Sequence, residues 1–121
     1  MSKLALRISH QAQSDILDIL RYTQRTFGEG ARQRYQRLIQ AALIALLVDP
    51  ERPGSKARSD IFPGLRSLHL YHCRLAVASG RVIKPRHIVL YRIVANQTLE
   101  IVRILHDAME ISRHLPASDQ P

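Results

Sequence analysis

The sequence predicts an α+β fold in which a helical hairpin packs on a small, mainly antiparallel sheet, with a short helix at the C-terminus. Two observations predict it: two amphipathic helical segments follow a short first strand, and three further strands come after them in one group. Helices and strands grouped in this way are typical of α+β domains. The 121 residues are enough for one domain, which we expect to span residues 1–116, with 117–121 as a frayed tail.

The first strand and the first helix are predicted from local patterns. Residues 3–8 alternate between apolar and polar side chains, as a strand does. Ser9 then stands where a helix N-cap is expected, because its hydroxyl accepts hydrogen bonds from free amides of the first turn. Apolar residues recur at helical spacing over residues 12–27, so Phe27 is expected on the buried stripe. Gly28 provides the C-terminal stop.

A second helix is predicted over residues 29–48, with apolar residues such as Tyr35 on one side and arginines on the other. Asp49 ends it, because a residue that precedes proline is disfavoured in the helical region. The short link between the helices makes them a hairpin. Residues 50–63 contain three prolines and a glycine, which predicts a connecting loop within the domain.

Three strands are predicted at residues 65–71, 86–94 and 99–105, and the first of them has a pattern that allows it to continue to residue 77. A tight turn at residues 95–98 joins the last two. Asp107 and Glu110 have the spacing of a capping box for a final helix over residues 108–114.

The last two strands are apolar on both faces, so both faces of the sheet must be covered. The helical hairpin covers one face, and the short C-terminal helix covers only part of the other. We therefore expect an apolar surface that a partner protein covers. A loop of this chain or a homodimer contact is the alternative.

The chain is strongly basic, with 18 Lys and Arg against 10 Asp and Glu, a formal charge of +8, and 15 of the 18 cations are arginine. Such a charge favours an acidic partner: nucleic acid, an anionic ligand or an acidic protein. The alternative is a basic surface that serves solubility. No apolar run is long enough to span a bilayer and the N-terminus lacks a secretory pattern, so we expect a cytoplasmic protein that does not enter membranes. With Cys73 as the only cysteine, the chain has neither an internal disulfide nor a cysteine-based zinc site.

A two-residue turn at 96–97 sets the register of the closing hairpin. It places His87 opposite His106, and Tyr91 opposite Val102 on the same face. Two histidines and a tyrosine there suit acid–base chemistry on a phosphodiester. The alternative is that the two histidines are structural, binding strand ends.

Four arginines lie in predicted strands, and the register puts Arg86, Arg92 and Arg103 on one face. Such a row suits phosphates or an acidic protein segment, and direct binding of nucleic acid is left open. The alternative is that each arginine pairs with a nearby carboxylate such as Glu100.

Motifs for metals and cofactors are missing from the sequence. His69 and His72 are three apart on a predicted strand, which turns their rings to opposite faces and makes them a poor metal pair. No catalytic triad spacing, glycine-rich phosphate loop or carboxylate pair stands out, so neither a metal nor a cofactor is expected.

Several segments resemble one known family. Residues 12–35 (AQSDILDILRYTQRTFGEGARQRY) resemble the helical hairpin of ParE-type toxins, and residues 63–67 (PGLRS) the start of their first long strand. Residues 86–92 (RHIVLYR) and 100–106 (EIVRILH) resemble their closing hairpin. The similarity covers about residues 4–115 and implies the fold of the RelE/ParE toxin superfamily.

The resemblance implies a toxin of a type II toxin–antitoxin system. ParE-like toxins are associated with inhibition of DNA gyrase, and a ParD-like antitoxin wraps the toxin with its C-terminal segment. On this interpretation we place the toxic or gyrase-binding surface at Arg66, Arg92, Arg103, His106 and Arg113. The antitoxin-binding residues are expected to be Tyr35, Leu38, Leu90 and Arg92.

Two other functions stay open. The RelE type of toxin is a ribosome-dependent mRNA endonuclease. In this chain it would use His87 or His106 as acid or base, Arg103 for charge and Tyr91 for orientation. The other alternative is an inactive member that only binds the antitoxin.

This sequence departs from the family pattern at two places. Residues 71–85 form a longer link than is expected in relatives, so a loop that faces gyrase or the antitoxin is expected to differ. The C-terminus lacks the terminal His-Tyr or Tyr of the ribonuclease branch, and the lysine-rich part of that basic cluster is missing. The C-terminus and the missing lysines favour a gyrase inhibitor that is not an enzyme.

Overall fold

A computed structural model of the chain describes residues 3–77, 80–95 and 97–115. Asn96, in the predicted turn, and the predicted tail at 117–121 lie outside these ranges. The strands and helices are β1 (Ala5–Ile8), α1 (His10–Phe27), α2 (Glu29–Val48), β2 (Lys56–Ala57), β3 (Arg66–His69), β4 (His87–Val94) and β5 (Thr98–His106). Two 3-10 helices cover Leu70–Ala76 and Ile111–His114. In these ranges, no helix has both the length and the apolar character that crossing a membrane requires.

The helical hairpin forms as local signals predict. The Ser9 hydroxyl accepts from the Ala12 amide at 3.0 Å and starts α1. Gly28 ends α1, because its φ of +94° suits glycine and its amide donates to the Gln24 carbonyl at 2.9 Å. The next residue already begins α2, which ends before Asp49 as predicted.

The sheet has five strands in the order β1-β5-β4-β3-β2. β1 runs parallel to β5 and every other neighbouring pair is antiparallel. The two-residue strand β2 was not predicted, because it lies inside the proline-rich loop and pairs only with the first two residues of β3.

The strand predicted to begin at residue 65 does not continue to residue 77, so that predicted extension is wrong. β3 ends at His69, whose ring nitrogen accepts from the Tyr71 amide at 3.0 Å and caps the 3-10 helix that follows. That helix buries Leu70 and Cys73, which lie three residues apart and therefore fall on the same side of a 3-10 helix.

The main core lies between the hairpin and one face of the sheet. Both helices contribute, and the sheet adds fully buried residues such as Tyr91. The Tyr91 hydroxyl lies 2.5 Å from both the Ser55 hydroxyl and the Pro50 carbonyl, so it fixes the loop after α2. The buried sheet residues of this core are Leu68, Val89, Tyr91, Leu99, Ile101 and Ile104.

The second face of the sheet is covered by the chain itself, so the expectation of a large open apolar face there is wrong. The loop between β2 and β3 folds back on the sheet, and the Arg58 amide donates to the Leu65 carbonyl at 2.7 Å. The C-terminal 3-10 helix covers the rest. The buried residues of this second core are Phe62, Leu65, Leu90, Val102, Leu105, Ile111 and Leu115.

The closing hairpin follows the predicted register over part of its length. His87 pairs with His106, and Leu90 with Arg103, as expected. From Tyr91 to Val94 the predicted register is wrong by one residue, so Tyr91 pairs with Ile101 instead of Val102. Val94 pairs with Thr98, where the predicted two-residue turn requires Ala95, and that turn is therefore wrong as well. A β-bulge after Leu90 leaves Val102 as the extra residue and turns it into the second core.

Candidate functional site

The arginines of the predicted row are paired with carboxylates. Arg92 binds Glu100 at 2.7 Å, and Arg103 binds Asp15 at 2.8 Å. Burial raises the pKa of Glu100, but hydrogen bonds from Arg92 and from a β1 arginine hold it below its usual range. The alternative interpretation of these strand arginines therefore holds, and their charge is largely neutralised within the fold.

Asp107 binds Arg86 and His69 instead of capping a helix. It accepts from the Arg86 guanidinium at 2.8 Å and lies 2.9 Å from His69 Nε2. Hydrogen bonds from Arg86 and then from His69 lower its pKa well below the usual range. The predicted capping box with Glu110 is wrong, because this carboxylate joins the ends of β3, β4 and β5.

The residues predicted for the toxic surface do not gather in one place. Arg66 donates to the Ser55 hydroxyl at 2.9 Å and pairs with Tyr91, so it lies on the helix side of the sheet. Arg92 follows Tyr91 and lies on the other side, 5.9 Å from the Phe62 ring. Arg113 is exposed on the C-terminal 3-10 helix.

Three of the residues predicted to bind the antitoxin are buried in the fold. Leu38 belongs to the main core and Leu90 to the second core, with exposures of 1% and 0%. Tyr35 is also buried, and its hydroxyl has partners inside the molecule. Leu38 and Leu90 therefore offer almost no surface to a docking antitoxin, because helical and strand spacing marked them as apolar without revealing that the chain's own elements cover them. Tyr35 still lines a surface cavity.

Tyr35 positions the His87 ring. The Tyr35 hydroxyl oxygen accepts from the Arg86 amide at 3.2 Å, and the same oxygen lies 2.6 Å from His87 Nδ1. Burial raises the pKa of Tyr35 to about 12. Burial, with help from the neighbouring His106, lowers the pKa of His87 to about 4. His87 is therefore a neutral ring at pH 7, and its Nδ1 atom is occupied by the hydrogen bond with Tyr35.

His106 is held in a similar way beside it. The rings of His87 and His106 meet edge to face, with centroids 5.4 Å apart. His106 Nδ1 accepts from the Ala108 amide at 3.1 Å, which places the ring proton on Nε2. The two imidazoles are thus both held in place through their Nδ1 atoms.

Both histidines line a cavity of about 470 Å³ at the end of the helical hairpin, which we call the hairpin-end cavity. Its rim includes three exposed apolar side chains: Tyr22, Phe27 and Ile83, with exposures of 56%, 68% and 79%. Phe27, expected on the buried stripe of α1, is instead on the surface, because it is the last residue of α1 and lies beyond the helix's buried positions. The full lining is Tyr22, Thr23, Phe27, Ala31, Arg34, Tyr35, residues 81–84, Arg86, His87 and His106.

The hairpin-end cavity is lined by cations and by no carboxylate. Within the described ranges, Arg34, Arg81 and Lys84 have no carboxylate at ion-pair distance, unlike Arg92 and Arg103. Gly80 lets the Arg34 side chain lie against the backbone, since a Cβ there would come within 3.0 Å of Arg34 Cγ. The cavity thus combines three cations that lack a carboxylate partner with exposed aromatic rings.

The four residues of the ribonuclease alternative are not assembled. His87 and His106 share the cavity, but Tyr91 is fully buried and Arg103 is held by Asp15. No cluster of three His, Cys, Asp or Glu side chains suited to a metal occurs among the residues that the structure describes.

The sequence interpretation missed most of the cavity residues. Arg81, Ile83 and Lys84 lie in the segment 71–85, whose unusual length was the one available signal. Tyr22 and Phe27 gave none, because an aromatic residue at helical spacing is usually part of a core.

Comparison with known proteins identifies the family. The model of the family described as "ParE toxin of type II toxin-antitoxin system, parDE" matches residues 6–111. Toxin ParE1 of Mycobacterium tuberculosis is 29% identical over 108 residues, which are 89% of this chain and 94% of that protein. Toxin ParE1 of Caulobacter vibrioides is 28% identical over 109 residues, 90% of this chain and 95% of that protein.

A solved structure, the "Chromosomal ParDE TA system from P. aeruginosa", shares the fold. It superposes with a TM-score of 0.64 at 15% identity, over 86% of this chain and 96% of that chain. The predicted α+β, RelE/ParE-like fold is therefore confirmed. The family match covers most of the chain, and the chain therefore belongs to the family of ParE toxins of type II toxin–antitoxin systems.

Proposed function

We propose that this toxin, acting as one domain over residues 1–116 in the cytoplasm, binds and inhibits DNA gyrase and catalyses no reaction itself. A ParD-like antitoxin neutralises it. Family membership and the resemblance to ParE-type toxins support the choice of gyrase. Tyr91 is fully buried and Arg103 is bound by Asp15, so neither side chain is available beside the histidine pair. This arrangement argues against the ribonuclease alternative.

One observation supports the hairpin-end cavity as the antitoxin docking site: it combines cations that lack a carboxylate partner in the described ranges with an exposed apolar rim. An acidic, amphipathic segment complements both features. Its apolar side chains pack on Tyr22, Phe27 and Ile83, and its carboxylates face Arg34 and Lys84. Apolar centres with charged surroundings are the usual anatomy of protein interfaces.

For the gyrase contact we keep four of the predicted residues. Arg66, Arg92, His106 and Arg113 are each at least partly accessible. We leave out Arg103, because its side chain is only 17% exposed and is held by Asp15.

The test of the target is a supercoiling assay with purified gyrase, relaxed plasmid and the full-length toxin. The toxin in excess is expected to block supercoiling, and the cognate ParD-like antitoxin is expected to restore it. Arg113→Glu is expected to weaken inhibition, whereas Arg21→Glu, an equal charge change on the exposed side of α1, leaves it unchanged. Unimpaired supercoiling would contradict the proposal, and cleaved message in a translation extract would support the ribonuclease instead.

A further inference from the structure

We infer that the hairpin-end cavity binds a nucleotide, with the phosphate group on its histidines and cations and the base against Tyr22 and Phe27. This inference goes beyond the proposed function and rests only on the geometry of the cavity. It assigns the site a small ligand that carries both an anion and a flat aromatic ring.

The phosphate end of the site is set by the two histidines. Their Nδ1 atoms are bonded to the Tyr35 hydroxyl and the Ala108 amide, so only the Nε2 atom of each ring remains for a ligand. No buried side-chain nitrogen or oxygen in the described ranges lacks a partner, so these Nε2 atoms are open to solvent. Both rings line the cavity, and the His106 ring, whose Nδ1 accepts from the Ala108 amide, carries a proton on Nε2 that it can donate to a phosphate oxygen.

Three cations share the cavity with these rings. Arg34, Arg81 and Lys84 line it without a carboxylate partner in the described ranges, and Arg86 adds a fourth cation, whose guanidinium is already bound to Asp107. Several donors and positive charges converging on one place suit an anion with three terminal oxygens and more than one negative charge. A phosphate monoester meets this description better than a single carboxylate.

The aromatic rim suits the other end of a nucleotide. Tyr22 and Phe27 lie edge to face with centroids 6.5 Å apart, and both rings are mostly exposed. Every nucleobase has a flat face that stacks on such rings, whichever base it is. The volume of about 470 Å³ lies in the range of small-ligand pockets.

The test is calorimetric titration of the full-length toxin with AMP, adenosine and inorganic phosphate in parallel. AMP is expected to bind about tenfold or more tightly than inorganic phosphate, because it adds a stacked base, and adenosine is expected to bind weakest. Lys84→Gln and Arg34→Gln are each expected to weaken AMP about fivefold to tenfold. Phe27→Ala is expected to reduce the advantage of AMP over phosphate.

The matched control is Arg21→Gln, which removes the same charge from an exposed site outside the cavity and is expected to leave the affinity for AMP unchanged. The ring signals of His87 and His106 are expected to shift on AMP addition, which locates the ligand. Unaltered unfolding midpoints show that each variant is folded.

Three results would overturn the inference. The first is no AMP binding at millimolar concentration. The second is inorganic phosphate binding as tightly as AMP, and the third is Arg21→Gln weakening AMP as much as Lys84→Gln. If a glutamate-rich peptide binds the cavity and AMP does not, the nucleotide site is wrong and the proposed antitoxin site stands.

Discussion

Asp15 on α1 and Arg103 on β5 are joined by two hydrogen bonds of 2.8 and 2.9 Å, across 88 positions of sequence. The same carboxylate accepts from the Ile104 amide at 2.9 Å. β1 pairs with β5 only as far as Ile101, so the remaining edge of β5 lacks a neighbouring strand. Asp15 takes the place of that strand and attaches the helical hairpin to the sheet.

Asp15→Asn is expected to lower the free energy of unfolding by about 2–3 kcal/mol, because it leaves a largely buried arginine without its counter-charge. Urea denaturation measures this loss. Asp18→Asn, on the exposed side of the same helix, is the control and is expected to change stability by less than about 0.5 kcal/mol. Equal losses in the two variants would show that the Asp15 bridge has no special role.

Tyr35→Phe is expected to cost about 1–3 kcal/mol of stability, since it removes the hydroxyl partner of both the Arg86 amide and His87 Nδ1. Tyr22→Phe removes the same atom from an exposed ring and is expected to be nearly neutral. Thermal or urea unfolding compares the two. A Tyr35→Phe variant as stable as the wild type would contradict the role given to this hydroxyl.

His87 is expected to make the protein less stable in mild acid. Its pKa is about 4 in the fold against 6.5 ordinarily, so between these values the unfolded chain binds the extra proton. Stability is complete above about pH 6.5 and falls as pH drops toward 4. The neighbouring His106 and His69 disfavour a charge on His87, whereas Asp107 and Asp15 favour it.

The loss is expected to be roughly 2 kcal/mol, below the full conversion of the shift, because the ring reaches solvent in the cavity. Urea unfolding of wild type and His87→Gln between pH 4 and 7 measures it, and the variant should show a flatter profile. An NMR titration that gives His87 a pKa near 6.5 would refute the prediction.

Two glycines in loops make a matched pair. Both Gly54 and Gly64 have positive φ, +96° and +85°, but only at Gly54 would a Cβ meet another group, 2.5 Å from His72 Cγ. Gly64→Ala is expected to cost about 1–2 kcal/mol from backbone strain alone. Gly54→Ala is expected to cost more, because His72 must also move. Urea denaturation tests the order, and equal costs would contradict it.

Elements specified by neighbouring residues were predictable from the sequence. The caps at Ser9 and Gly28 and the stop before Pro50 fix the helical hairpin locally. The closing hairpin register was predicted correctly only at the end away from the turn, from His87 to Leu90, because the β-bulge after Leu90 offsets the one-residue error in the predicted turn. The bulge that follows depends on how Val102 packs in the second core, which no local pattern reveals.

What the sequence could not reveal depends on contacts between distant residues. The Arg58–Leu65 loop folds back to cover the second face of the sheet, although the prolines of residues 50–63 predicted only a connecting loop. The Arg103 guanidinium looked available for a partner until the fold brought Asp15 beside it. The hairpin-end cavity was missed for the same reason: only the fold brings Arg34 and Lys84 together with the exposed aromatic rings of α1.

The most direct test of the central claim is the affinity of the cognate ParD-like antitoxin for Arg34→Glu and Lys84→Glu variants, measured by calorimetry. If the hairpin-end cavity receives the acidic segment, each reversal should weaken binding about tenfold or more, and Arg21→Glu should leave it unchanged. Equal affinity for all three variants and the wild type would contradict the claim.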